Sequence, residues 1–258
     1  MKQPDDRILV FDSGLGGLSV LRELVRILPG ERYLYLGDSL NAPYGTRPSE
    51  EVRRLTFSAI EAEMARGVKA LVVACNTATA AAIEELRMRY PDTIVIGVEP
   101  ALKLAAEHRP GGRIVVMATN VTLREMKFCA LMDRFSASNR IVPLPCPGLV
   151  EFVESGNLDS PKLRAHLMSL LRPVLSGGID SIVLGCTHFP FLRPVIQSLV
   201  GERVEILDGS HGTAQQTRRR LKSQNLLRNA VDGQIELRNS LDSADILTLS
   251  AKLLEVSL

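Results

Sequence analysis

Seven short apolar runs, at residues 8–11, 33–36, 70–74, 94–98, 114–117, 182–184 and 204–207, limit what this chain can fold into more than any other feature. Most are rich in Val and Ile and lack a clean alternation of polar and apolar residues, so strands built from them bury both faces. That is the condition of a parallel sheet covered by helices. The segments between the runs supply the helices: 18–28, 49–66, 78–90 and 161–175 carry apolar residues at helical spacing. Their ends are marked too. Glu50 and Glu51 follow Pro48-Ser49, where a helix N-terminus favours negative charge, and Arg66-Gly67 places a cation and a capping glycine at the far end. Leu28-Pro29-Gly30 and Tyr90-Pro91-Asp92 close two others. The chain reads as α/β.

Two stretches repeat one plan. Leu71-Val72-Val73-Ala74-Cys75-Asn76-Thr77 and Ile182-Val183-Leu184-Gly185-Cys186-Thr187-His188 are each an apolar strand, a small residue, a cysteine, then polar residues that open a helix. Residues 8–13 and 114–119 echo each other more weakly. The repeats predict two pseudo-symmetric α/β domains, each a mainly parallel sheet covered by helices, with the active site in the cleft between them. No low-complexity linker marks the joint, and the boundary is set near residues 98–101. The first domain is read as 1–98 plus 208–258, because a middle domain of 99–207 is complete without the tail.

Composition removes several classes of function. Across 258 residues, 31 Lys and Arg stand against 29 Asp and Glu, a formal charge of +2 with the signs interspersed. That balance leaves no electrostatic footprint for nucleic acid or an anionic membrane. The densest basic run, Arg218-Arg219-Arg220 with Lys222, is read as a solvated helix face. No run approaches the roughly 20 apolar residues of a membrane span. The polar segment 1–7, followed by only four apolar residues, is not a secretory signal. Four dispersed cysteines, Cys75, Cys129, Cys146 and Cys186, do not make a disulfide scaffold in a chain of this length. A cytoplasmic protein with free thiols is expected.

In open α/β sheets, functional residues gather at the carboxyl ends of the strands. Cys75 and Cys186 both fall there, each before a helix start whose N–H groups and partial positive charge lower a thiol pKa from about 8.5 toward neutrality. The alternative is a pair of buried small hydrophobes. Two cysteines in matched contexts, flanked by amide, hydroxyl and imidazole groups, favour chemistry. Asp12-Ser13-Gly14-Leu15-Gly16-Gly17 follows the first strand like a nucleotide loop, but Ser19 breaks the G-x-G-x-x-G spacing and no G-K-[ST] occurs. A carboxylate at the loop entrance repels phosphate and suits an ammonium, whose hydrogen bonds Asp12 and Ser13 can both accept. The alternative for Asp12 is a helix cap. In Pro43-Tyr44-Gly45, the glycine permits a tight turn whose N–H groups can reach a carboxylate.

Of the four histidines, His188 points to chemistry, two residues past Cys186; His108, His166 and His211 are read as mostly surface residues. Cys75, Cys186 and His188 lack any C-x-x-C, H-x-x-x-H or H-E-x-x-H spacing, so no metal is expected. Cys129 and Cys146 have no helix-opening context and are read as structural.

Five motifs in order carry a resemblance: Phe11-Asp12-Ser13-Gly14-Leu15-Gly16-Gly17, Gly37-Asp38 with Pro43-Tyr44-Gly45, Ala74-Cys75-Asn76-Thr77-Ala78, Gly97-Val98-Glu99-Pro100-Ala101 and Leu184-Gly185-Cys186-Thr187-His188-Phe189-Pro190. Together they resemble bacterial glutamate racemase, of the aspartate/glutamate racemase superfamily, from residue 8 to about residue 208. The resemblance implies a cofactor-independent homodimeric enzyme that converts L-glutamate to D-glutamate for peptidoglycan synthesis. It implies that Cys75 deprotonates D-glutamate and Cys186 L-glutamate, each reprotonating the opposite face. Asp12 and Ser13 would hold the substrate amine. Tyr44, Gly45, Asn76, Thr77, Thr187 and His188 would complete the binding shell, with Thr119 or Thr122 adding a carboxylate contact. Asp12, His188 and Glu154 would support the acid/base chemistry.

Two positions depart from the family pattern. In Val150-Glu151-Phe152-Val153-Glu154, Glu151 stands where many members carry proline, which leaves open whether Glu151 or Glu154 faces the site. Ala42 stands where a bulkier residue is usual. The physics points the same way as the resemblance. Removing an α-proton from one face and delivering one to the other calls for two acid/base groups on opposite sides, which matched cysteines in twofold-related halves supply. An aspartate racemase would keep the paired cysteines and is the alternative enzyme. A noncatalytic amino-acid-binding module would keep the cleft without needing them.

Overall fold

The computed structural model describes residues 2–256. The chain opens with β1 (Ile8–Asp12), α1 (Leu18–Ile27), β2 (Arg32–Gly37), α2 (Ser49–Arg66), β3 (Ala70–Val73), α3 (Asn76–Arg89) and β4 (Ile94–Gly97). It continues through α4 (Leu102–His108), β5 (Arg113–Ala118), α5 (Asn120–Arg124), α6 (Met126–Ser136), β6 (Arg140–Pro145), α7 (Leu149–Glu154), α8 (Pro161–Leu175), β7 (Ser181–Leu184), α9 (Arg193–Val200) and β8 (Glu205–Asp208). It ends with α10 (Ser210–Ser223), β9 (Gln234–Asn239) and α11 (Ala244–Glu255). Among the described residues, no helix is long and apolar enough to cross a membrane.

The strands form two parallel sheets, ordered β4-β3-β1-β2-β9 and β6-β5-β7-β8. The first four strands and the second four therefore share one topology, β1 to β4 matching β5 to β8. The match extends to the bonds that end the strands. Ala74 N–H donates to the Phe11 carbonyl and Gly185 N–H to that of Met117, each over 2.7 Å. Asp38 N–H donates to the Asp12 carbonyl and Cys146 N–H to that of Ala118, each over 2.9 Å. The expected α/β fold of two related parallel sheets is present, and Cys75 and Cys186 hold equivalent positions in it. The weak echo of 8–13 with 114–119 is the correspondence of β1 with β5.

Each strand feeds two cores because successive side chains point to opposite faces. Leu9, Phe11, Leu34, Leu71 and Val73 pack under α2 and α3, whereas Ile8, Val10, Val72 and Ile96 face α1 and α10. In the second sheet, Ile114, Val116 and Val183 pack under α4 and α6; Val115, Met117 and Ile182 share the opposite core with Leu163, Leu167 and Ile196. The chain after residue 208 lies on the first sheet: β9 pairs with β2 along its whole length, and α10 and α11 pack on α1. Buried Lys69 fixes the near end of this addition, donating to the Glu31 carboxylate and to the carbonyls of Pro4 and Leu226, while Glu31 also accepts the Arg228 N–H.

Two strands carry none of the seven runs. β6 contains Pro143 and Pro145, and proline is tolerated there because β6 is an edge strand. β9, Gln-Ile-Glu-Leu-Arg-Asn, alternates polar and apolar residues and is also an edge, so it needs no continuous apolar run.

Candidate active site

β3 delivers Cys75 to the start of α3, where its thiol caps the helix by accepting the Ala78 N–H at 3.4 Å. The same sulfur donates to Ser13 Oγ at 3.4 Å, across from the end of β1. Here the expected lowering of the thiol pKa is overturned. Burial, and after it the negative charge of Asp12, push Cys75 up from 9.0 to about 12, against the smaller effects of Ser13 and the Ala78 N–H. In an enclosed site, desolvation of the thiolate outweighs the helix terminus.

Cys186 has different company. No α-helix opens beside it; a short 3₁₀ turn, Phe189–Leu192, precedes α9. Fully enclosed His188 places Nδ1 3.7 Å from Cys186 Sγ and Nε2 2.6 Å from Glu154 Oε1. Burial lowers the pKa of His188, but Cys186 and Glu154 outweigh burial and hold it well above 6.5. Burial raises Glu154, yet His188, the Leu15 N–H at 2.7 Å and the Ser39 hydroxyl at 3.3 Å bring it below the usual carboxylate value. Glu151 is exposed on the outer face of α7, so Glu154 is the acid turned toward Cys186.

The glycine loop after β1 serves this pair. A Cβ on Gly14 would lie 2.1 Å from Glu154 Oε1, and one on Gly16 would lie 2.3 Å from His188 Nδ1. Close approach of the backbone to the imidazole and carboxylate, not to a phosphate, is what the glycines permit.

A small cavity lies where the two thiols meet. Ser13, Tyr44, Gly45, Asn76, Thr77, Thr119, Thr122, Thr187 and His188 line it together with both cysteines, so eleven residues picked out in the sequence meet there. Asp12 and Glu154 stand one layer behind. Asp12 is wholly buried, its carboxylate accepting the Gly14 N–H at 3.0 Å and the Thr187 hydroxyl at 3.1 Å, and burial raises its pKa. The walls are joined by hydroxyls: Thr77 Oγ1 lies 3.3 Å from Thr122 Oγ1, which accepts from Thr119 at 3.0 Å. Asn76 Oδ1 is buried without a partner, an acceptor left for a ligand donor.

Several residues here had no role assigned from the sequence. Asp38 accepts the Tyr44 hydroxyl at 2.6 Å and fixes that ring in the wall. Ser39 and Asn239 support Glu154, and Val150 lines the cavity. Of these, only Asp38 and Ser39 sit in a strand-end turn that a reader of the sequence would inspect. Asn239 comes from a strand about 200 residues away in sequence, with no local signal. Cys146 is buried and donates to the Leu144 carbonyl, half-buried Cys129 donates to that of Leu123, and neither lines the cavity. His108 and His211 are surface residues paired with Glu205 and Glu23.

The model of the family described as Asp/Glu/Hydantoin racemase matches residues 8–217. A glutamate racemase from Clostridium perfringens is 49% identical over 247 residues, covering 95% of each chain. The crystal structure of glutamate racemase isoform RacE1 from Bacillus anthracis superimposes with a TM-score of 0.88 at 30% identity, covering 98% of this chain and 95% of that one. The Escherichia coli glutamate racemase, solved with L-glutamate and the activator UDP-MurNAc-ala, gives 0.83 at 30% identity, covering 96% and 92%. The chain belongs to the Asp/Glu/Hydantoin racemase family, among its glutamate racemases.

Proposed function

We propose that this chain interconverts L- and D-glutamate by a two-base mechanism in which Cys186 takes the α-proton of L-glutamate and Cys75 that of D-glutamate, each returning a proton to the opposite face. The observation that carries the reading is that two equivalent strand-end thiols line one cavity. On this reading the domains are 1–98 with 208–258, and 99–207, and D-glutamate so formed supplies peptidoglycan synthesis.

The α-proton of an amino acid is a weak acid, so the site has to stabilise carbanion character with fixed dipoles and a retained ammonium charge. The unpartnered Asn76 Oδ1 and the Ser13 oxygen are acceptors suited to the ammonium, with the Asp12 charge behind them. The hydroxyls of Thr77, Thr122 and Thr187 and the N–H groups of the turn at Tyr44 and Gly45 suit the carboxylates. Within each turnover one sulfur must begin as thiolate and the other as thiol. The upward push on Cys75 suits it to the thiol role, and His188 offers Cys186 a proton acceptor.

Proton exchange in D₂O tests the mechanism. Cys75→Ala should lose α-exchange from D-glutamate while keeping it from L-glutamate, and Cys186→Ala the reverse. Undiminished racemisation in either variant would sink the two-base reading. Aspartate is the competing substrate, and a chiral assay with both amino acids separates the two enzymes. Binding of glutamate without any exchange would instead mark a noncatalytic module.

A further inference from the structure

The first sheet has one strand without a counterpart in the second, and that strand ends beside the site. Asn239, the last residue of β9, pairs with Gly37 and is 9% exposed. A Cβ on Gly37 would lie 2.9 Å from Asn239 Nδ2, so the glycine makes room for the amide. Asn239 Oδ1 accepts the Leu241 N–H at 3.0 Å, which orients Nδ2 toward Ser39 Oγ at 2.8 Å. An amide N–H can only donate, so the Ser39 oxygen accepts and its single proton goes to Glu154 Oε2 at 3.3 Å. The turn that carries Ser39 is held again by Ser240, whose hydroxyl accepts the Leu40 N–H at 2.9 Å.

From Glu154 the line continues through His188 to Cys186. Glu154 sits on α7, whereas Leu15 and Ser39, which donate to its two oxygens, belong to the first sheet's loops. The carboxylate is therefore completed across the cleft.

We infer that Ser39 and Asn239 are positioning residues for proton transfer at Cys186: Asn239 polarises Ser39, Ser39 holds Glu154, and Glu154 holds His188 against the sulfur. The inference rests on the two-base reading above. Cys75 has no place in this line; its sulfur is held by Ser13 and the Ala78 N–H. A positioning role is thus one-sided, which a general loss of structure is not.

The experiment uses single-cysteine backgrounds, each of which reports one half-reaction as α-exchange in D₂O. In Cys75→Ala, adding Ser39→Ala should slow exchange from L-glutamate about tenfold or more, equal to about 1.4 kcal/mol in the barrier. In Cys186→Ala, the same change should leave exchange from D-glutamate within about twofold of its parent. Ser39→Thr, which keeps the hydroxyl, should restore the first rate. The pH profile supplies a second readout. Without the Ser39 donor, Glu154 protonates at higher pH, so the acid limb of L-exchange moves up. The other titratable groups facing Glu154 are His188, Asp12 and Tyr35, and Ser39→Ala removes no bond that they make.

Equal slowing in both backgrounds, an unmoved acid limb, or failure of threonine to restore the rate would overturn the positioning role. If Cys75→Ala alone shows no L-exchange, the two-base reading fails instead. Ser39→Ala in the otherwise unaltered chain must then still slow racemisation and shift its acid limb, with threonine restoring both; failure there also overturns the role.

Discussion

Substituting Gly16 by alanine adds one methyl group and tests whether His188 is held where acid/base chemistry needs it. The added Cβ would lie 2.3 Å from Nδ1 and 2.6 Å from Cε1 of His188, and 2.7 Å from Thr187 Oγ1, where ordinary contact begins at 3.4 Å. The ring has to retreat by about 1 Å to restore that contact. It has no slack in that direction, because Nε2 is already bonded to Glu154 at 2.6 Å and the side chain is 3% exposed. A shift of that size takes Nδ1 out of its 3.7 Å placement against Cys186 Sγ. Misplacement by about 1 Å of a catalytic group costs on the order of 10²-fold in rate. Gly16 does not lie in the left-handed region, so alanine brings no backbone strain, and the cost in stability is that of overpacking, about 1–3 kcal/mol. The expected variant is therefore folded at 25 °C with racemisation reduced about 100-fold. α-Exchange should fall mainly from L-glutamate in the Cys75→Ala background. Thermal melting and D₂O exchange on the same samples check both halves. A folded variant racemising within threefold of the parent would refute the claim that this loop fixes the imidazole.

Gly212 offers the opposite case: a Cβ there meets nothing within 4 Å, and the residue lies inside α10. Gly212→Ala should raise stability by about 0.5–1 kcal/mol, read from urea unfolding, without touching activity. Lys69→Met leaves Glu31 charged and buried, which should cost about 3–5 kcal/mol, whereas Lys69→Met with Glu31→Leu should recover much of the loss in the same titration. Cys75 should resist alkylation until the pH approaches 12, measured by mass spectrometry of the Cys186→Ala protein. The linked stability follows in sign: the folded thiol pKa is raised from 9.0 to about 12, so its contribution is intact below pH 9 and is lost as pH climbs through that window.

The sequence is most informative where local chemistry and topology coincide. The helices at Ser49–Arg66 and Pro161–Leu175 span the residues that periodicity assigns them: Leu163, Leu167 and Leu171 repeat as one buried face, and Val52, Leu55, Ile60 and Met64 mark another that Thr56 and Glu63 interrupt. Both site cysteines were legible because each closes a fully buried strand, where a thiol followed by amide, hydroxyl or imidazole groups has few structural motives. β6 and β9 were not, since edge strands tolerate proline and alternate polarity. The pKa of Cys75 was misjudged for a physical reason. A helix terminus can be read from sequence, but complete burial beside Asp12 arises only when β1 and β3 lie side by side. Asn239 was invisible for the same reason, its bond to Ser39 depending on where the last strand joins the sheet.

The two halves match in backbone and differ in side chains at matched positions: Asp12 against Ala118, Asn76 against Thr187, Thr77 against His188. Glutamate enantiomers have equal free energies in water, so for the proposed reaction kcat/KM is the same in both directions whatever the two thiols are given. No asymmetry of the site can favour one product at equilibrium. The unlike partners are thus free to differ, and what they set is how each sulfur gains and loses its proton. Cys186 faces an imidazole backed by a carboxylate, whereas the Cys75 sulfur meets a serine hydroxyl and a backbone N–H. A difference between the half-reactions must then appear as equal changes in kcat and KM for one enantiomer. On the proposed mechanism the twofold plan sets two acids on opposite sides of one α-carbon, and its imperfection lets each be supplied with protons by its own route.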